Sequence, residues 1–302
     1  MTRRRGFCLP AAVVVSLLGC TTSPPTSTPT YTATPLLMET PALSDLAIPT
    51  AMASDTIAAA PTPTDTATPT SQPTPVAVSV NYQMAFGIDY ARPEEYLAQG
   101  EQTQVSNPAV LDPLRTQEQS MAHLGDIYRW LQREFTYNSV GGGTIGVVTV
   151  DQLLAEHQLG GCHDCALVYA AVVRHLGYPA VMADSYSIAW VEQFQAGAKG
   201  QYIGHVFVEV YLGGKWVLVD PTNGWYVESG YDPADPVIPL RGAIAGSSKE
   251  IYGFHGDRKG SDTWAYGITS VSKLTQAMDE LARRLDLEAI AYPEYVFEHF
   301  TG

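Results

Sequence analysis

Three residues in the second half of the chain, Cys162, His205 and Asp220, have the types and settings that nucleophilic catalysis needs. A thiol attacks only as its thiolate, and a helix N-terminus favours that anion through its unpaired N–H groups and its dipole. Cys162 follows Gly160-Gly161, which reads as a tight turn allowing close approach to a substrate. From Cys162 a helix is expected to run to Leu176, closed by Gly177 and Pro179 in the usual order of C-terminal signals. Such a nucleophile needs a base, and the base needs orienting. His205–Leu212 and Lys215–Asp220 read as strands joined by a tight hairpin at Gly213-Gly214. If those glycines form a two-residue turn, Leu212 pairs with Lys215, His205 lies opposite Thr222, and Phe207 lies opposite Asp220. The imidazole and the carboxylate are then diagonal neighbours on one face. Val206, Val208, Val210 and Leu212 form a core stripe on the other.

Taken singly, each residue has a plainer explanation: a core thiol, a surface histidine, a turn residue ahead of Pro221. Their joint order and register shift the balance. Cys162-x-x-Cys165 also admits a redox pair or half a metal site. A thioredoxin-like motif would follow a strand in a βαβ pattern, and a structural zinc site would want a second Cys or His pair. Neither is present, so no metal and no cofactor are expected. His163 is expected to face solvent, and Asp164 to be a helix-start carboxylate. Trp190, Trp216 and Trp225 fit either a substrate groove or an aromatic core. Gln193–Gly204, with three glycines, reads as a mobile loop at the site mouth.

The elements that must position these residues read as α+β. Asp112-Pro113 offers a helix start, with helix continuing intermittently to Phe135 and Ile127, Trp130, Leu131 and Phe135 on one face. Val150–His157 reads as a short helix, Val76–Phe86 and Ala180–Trp190 as strands, and Ser272–Leu285 as an amphipathic helix with Leu274, Met278, Leu281 and Leu285 on one side.

Gly161-Cys162-His163-Asp164-Cys165-Ala166 resembles the Gly-x-Cys-x-Asp-x-Ala signature of transglutaminase-like enzymes. Gly204–Val210 resembles their histidine strand, and Trp216–Thr222 their aspartate strand, in the family's order and at plausible spacing. Ile127–Asn138 and Thr149–Leu154 resemble the helices before the nucleophile, so the similarity spans roughly Asn107 to Tyr226. Cys165 departs from it, an aromatic residue being more usual there. The resemblance implies a papain-like fold, with the nucleophile helix packed on an antiparallel β-sheet, and acyl transfer through a thioester. Cys162 would attack an amide or ester carbonyl, His205 would take up the thiol proton and later protonate the leaving group, and Asp220 would hold the imidazole tautomer. The backbone N–H of Cys162 would supply part of an oxyanion hole, with Tyr137 the candidate for its second donor. The expected activity is a cysteine hydrolase or acyltransferase on peptide or side-chain amides, with hydrolysis favoured. The alternatives are a catalytically inactive binding or scaffolding lipoprotein of this fold, and a thiol–disulfide or metal protein.

The N-terminus bears on location. Residues 1–20 combine Arg3-Arg4-Arg5, an apolar run from Leu9 to Leu18 and Gly19-Cys20, the layout of a secretory signal too short to span a bilayer. Leu17-Leu18-Gly19-Cys20 resembles a bacterial lipobox, which implies acylation of Cys20 and a lipid anchor as the membrane contact. Residues 21–75 contain 32 Thr, Ser or Pro and no Lys or Arg, a composition that cannot bury enough apolar surface to order itself and reads as a tether. Residues 76–302 then form the catalytic domain, large enough for one core. Without the three N-terminal arginines, 14 basic residues face 31 acidic ones, a balance of −17. That acidity argues against nucleic acid as a partner and leaves a peptide or protein substrate.

Overall fold

The computed structural model describes residues 83–116, 118–138, 144–198, 200, 202–241 and 251–300. The expected signal, Cys20, the tether and most of the expected strand Val76–Phe86 lie outside them. What remains of that strand is β1 (Met84–Ala85), which forms a small hairpin with β2 (Ile88–Asp89).

Pro108–Leu114 is a 3₁₀ segment, and the first α-helix starts only at α1 (Met121–Glu134). The expected helix from Asp112 is thus two elements. Ser120 caps α1 by accepting from the N–H of His123, which sets the helix start at Met121 rather than at Pro113. Leu124, Ile127, Trp130 and Leu131 bury one face of α1. A short β3 (Thr136–Tyr137) follows. Then comes α2 (Val150–Glu156), opened by a reciprocal capping box between Thr149 and Gln152 and closed at His157 in the left-handed region, φ 53°. β4 (Gln158–Leu159) pairs in parallel with β3, setting Tyr137 beside Leu159 and the glycines that precede Cys162.

The next helix, α3 (Cys162–His175), is buried on every side from His163 to Arg174, as a helix apolar around its circumference should be. After it β5 (Ala180–Ser187) passes directly into α4 (Ile188–Gln195), because Ser187 caps a new helix by accepting from the N–H of Trp190. The strand expected to reach Trp190 therefore ends at Ser187, and the loop expected from Gln193 begins only after α4. β6 (Gly204–Leu212) and β7 (Lys215–Asp220) form the expected hairpin. Gly213 and Gly214 both have positive φ, 60° and 87°, and Leu212 pairs with Lys215. β8 (Trp225–Val227), β9 (Val237–Arg241), β10 (Ile251–Gly260), α5 (Val271–Arg284) and β11 (Glu298–His299) complete the chain.

Among the described residues the main sheet is antiparallel throughout, in the order β11-β8-β7-β6-β5-β10-β9. One face, with Val206, Val208, Val210, Val217 and Val219, packs against α1, α2 and α3. The other face, with Phe207, Trp216 and Leu218, packs against Ile88, Tyr90, Ile238, Phe254 and Tyr295. On that second face Glu209 of β6 is fully buried. It accepts from Lys259 of β10 at 2.6 Å, from Tyr90 at 2.6 Å and from Tyr231. A third cluster joins Tyr186, Trp190 and Val191 to Met278, Leu281 and Ala282 of α5.

Candidate active site

Cys162 is the first residue of α3 and is partly exposed. The approach to it is not the tight turn expected: Gly161 is extended, with φ 171° and ψ −171°. A Cβ on Gly161 would meet nothing within 4 Å, so the space beside that residue, next to the start of α3, is open among the described residues. Asp164, buried one turn in, takes the N–H of Gly160 on Oδ2 at 2.7 Å and the hydroxyl of Thr144 at 3.1 Å. It is the helix-start carboxylate the sequence suggested, and it pins the glycine segment to the helix.

His205 and Asp220 meet where the sheet parts. The β6–β7 ladder runs from the turn to Val208↔Val219 and stops, while β6 continues against β5 as far as Tyr186↔Gly204. In the opening, Nε2 of His205 lies 2.9 Å from Oδ2 of Asp220, although its N–H is not aimed along that line. The ring stands edge-on to Phe207 at 4.7 Å and against Phe254 at 5.5 Å, which fixes its plane. The Cys162 side chain lies within hydrogen-bonding reach of the same imidazole. Burial alone would lower the imidazole pKa. The Asp220 carboxylate, followed by the Cys162 sulfur, outweighs burial and pushes the value up to about 10.

Asp220 is 1% exposed, and a turn built by the residues after it holds it in place. Its Oδ1 accepts from the backbone N–H groups of Thr222 (3.0 Å) and Asn223 (3.1 Å), and its Oδ2 from the Asn223 amide (2.8 Å). Burial raises the Asp220 pKa, but His205 and then Asn223 more than offset this and hold it below the usual carboxylate range. Asn223 was missed in the sequence. Its signal was the Asp-Pro-x-Asn order, in which an aspartate receives donors two and three residues on.

Tyr137, 54% exposed, stands on β3 close enough to α3 that its phenol senses both thiols. Burial, then Cys165, then Cys162 raise its pKa. His163 is not solvent-facing: it is 2% exposed, with Nδ1 3.1 Å from Oδ1 of Asp164, because α3 has no free side for it. Cys165 is 1% exposed, and burial pushes its thiol up to about 12. Both cysteines are free thiols. Trp190 and Trp216 belong to the core, whereas Trp225 lines a surface cavity with Phe297 and His299. Among the described residues no group of three or more His, Cys, Asp or Glu could hold a metal ion.

A partly exposed thiol at a helix start, a largely buried imidazole and an oriented carboxylate define the cysteine-nucleophile class of site. Residues 109–221 match the model of the transglutaminase-like superfamily, and this stretch holds Cys162, His205 and Asp220 on the nucleophile helix and antiparallel sheet described above. Among solved structures, a protein of Cytophaga hutchinsonii provisionally assigned as a cysteine protease is similar at 17% identity, with 60% of this chain and 50% of that one covered and a TM-score of 0.41. The periplasmic domain of TgpA from Pseudomonas aeruginosa is 25% identical over 45% of this chain and 48% of its own, TM-score 0.31. Calcium-bound LapG from Legionella pneumophila is 13% identical over 64% and 99%, TM-score 0.32. The chain spans about half the length of the first two. No curated protein matches it at a significant level.

Proposed function

We propose that this chain is an exported, lipid-anchored cysteine hydrolase that cleaves peptide or side-chain amide bonds through an acyl-thioester on Cys162. The observation that carries the reading is the Asp220 carboxylate 2.9 Å from Nε2 of His205, with the Cys162 side chain close enough to the same imidazole to influence it. With its pKa near 10, the His205 ring carries a proton at neutral pH. The proton on His205 is the one given up by the Cys162 thiol; the sulfur attacks the carbonyl, His205 delivers that proton to the departing amine, and the acyl group remains on sulfur. Water then attacks the thioester with His205 as base, releasing the acid and regenerating the thiol. Asp220 keeps the imidazole oriented throughout. The oxyanion is received by the N–H of Cys162, unpaired because it opens the helix, with Tyr137 as candidate second donor.

Hydrolysis over transfer is supported by the open space beside Gly161. Water is present at about 55 M and prevails over an amine unless a dry channel excludes it. The basic-apolar start, Leu17-Leu18-Gly19-Cys20 and the Thr/Pro/Ser-rich segment support export and anchoring through Cys20. The test is product partitioning on a glutaminyl peptide, with and without a primary amine at millimolar level and with Cys162→Ala as control. Free acid should dominate in both cases. Dominance of the amide product would make the enzyme a transferase, and turnover by Cys162→Ala would remove the proposal.

A further inference from the structure

One turn along α3 from Cys162, the buried Cys165 thiol forms part of the floor of a cavity of about 290 Å³. Asn223, whose amide holds Oδ2 of Asp220, forms part of its wall, so cavity and site share a side. The remaining walls are Leu131 of α1, Phe135 just after it, Leu159 of β4 and the ring of Tyr137 on β3, the candidate oxyanion donor, so that the phenol is the one polar group among these otherwise apolar walls. Gln132, exposed on α1, stands at the mouth. Deep in the cavity the buried Thr222 hydroxyl has no oxygen or nitrogen partner, its polar neighbour being the Cys165 thiol. None of the lining residues carries a full charge, and the floor thiol is kept neutral by burial. The volume falls at or below the lower end of the range, about 300–1,000 Å³, found for sites that enclose whole small molecules, which suits one side chain.

We propose that this cavity is the recognition subsite for one uncharged side chain, with an apolar stem and room for a neutral hydrogen-bonding tip, flanking the bond that Cys162 attacks. The proposal rests on the cysteine-hydrolase reading above. A lysyl or glutamyl side chain would enter only by leaving its charge unpaired among Leu131, Phe135 and Leu159, which costs far more than burying a neutral group. A leucyl chain fills the apolar walls, and a glutaminyl chain also reaches the Thr222 hydroxyl.

The test measures the rate at which Cys162 is alkylated in the full chain by acetyl-leucyl, -glutaminyl, -lysyl and -glutamyl chloromethyl ketones, with iodoacetamide as a probe lacking a side chain. The two neutral probes should react about tenfold or more faster than the two charged ones. Cys165→Phe should fill the floor and erase that preference while leaving the iodoacetamide rate unchanged. At the exposed mouth, Gln132→Glu should speed the lysyl probe and Gln132→Lys the glutamyl probe. Unchanged ratios in the Gln132 variants, or in a folded Cys165→Phe protein, with iodoacetamide labelling intact, would overturn the subsite. Failure of iodoacetamide to label Cys162 in a His205-dependent way would instead overturn the underlying reading.

Discussion

Cys162 and Cys165 sit three residues apart on one helix, yet their surroundings set them against each other. Cys162 is partly exposed beside the His205 imidazole, whereas Cys165 is buried with its pKa pushed up to about 12. At neutral pH iodoacetamide should therefore modify Cys162 well ahead of Cys165, and His205→Ala should slow it; equal rates insensitive to His205 would count against His205 acting on Cys162. The His205 pKa, about 10, lies above the ordinary 6.5. Its protonated ring thus stabilises the fold fully below about pH 6.5, and that contribution fades as pH rises through the folded value. Activity should accordingly have an alkaline limb near pH 10, and Asp220→Asn, which removes the largest raising influence, should move that limb down by pH units. A pH–rate profile unchanged in Asp220→Asn would contradict this. Asn223→Ala deletes a hydrogen bond to a charged group, worth about 1.5–3 kcal/mol, and should lower kcat by roughly 10- to 100-fold. The approach of His205 to Asp220 was legible because it rests on residue type and hairpin register, both local. The burial of His163 was not legible, since it depends on α3 being enclosed on all sides.

The elements divide along the same line between local and distant causes. The β6–β7 hairpin, α2, α3 and α5 carry their own signals: two glycines at positive φ, a capping box, a Gly-Pro stop, an amphipathic stripe. β10 carries none, since Ile251–Gly260 includes three glycines, an aspartate, an arginine and a lysine. It is a strand because β5 and β9 pair with it from both sides, and its lysine is buried because Glu209 waits on β6. α4 was lost for a related reason: an apolar run flanking a strand has no distinguishing period until Ser187 is seen to cap it. Lys259→Met leaves the Glu209 carboxylate buried without its cation and should destabilise the domain by about 3–5 kcal/mol in urea unfolding. Restoring balance with Glu209→Gln in the same chain should recover part of that loss. A single variant as stable as the parent would show that the pair does not tie β10 to β6.

At the scale of the whole molecule, the fold class and the layering of α3 on an antiparallel sheet followed from the order of motifs, but the sheet is wider than the three strands the sequence suggested around the site. The extra strands come from 225–260 and from 298–299, where no alternation marks them. Among the described residues no helix is long and apolar enough to cross a membrane. Cys20→Ser should abolish acyl labelling and leave unprocessed precursor; unchanged labelling and maturation would remove the anchor from the account. The central claim is that Cys162, driven by His205 and Asp220, carries the acyl group. Its most direct test is pre-steady-state acylation by p-nitrophenyl acetate followed by peptide mapping. The account predicts a burst equal to the enzyme concentration and an acetyl group on Cys162 that hydroxylamine removes, with the burst lost in His205→Ala and strongly reduced in Asp220→Asn. A burst that survives His205→Ala, or acetyl groups spread over lysines with none on Cys162, would contradict it.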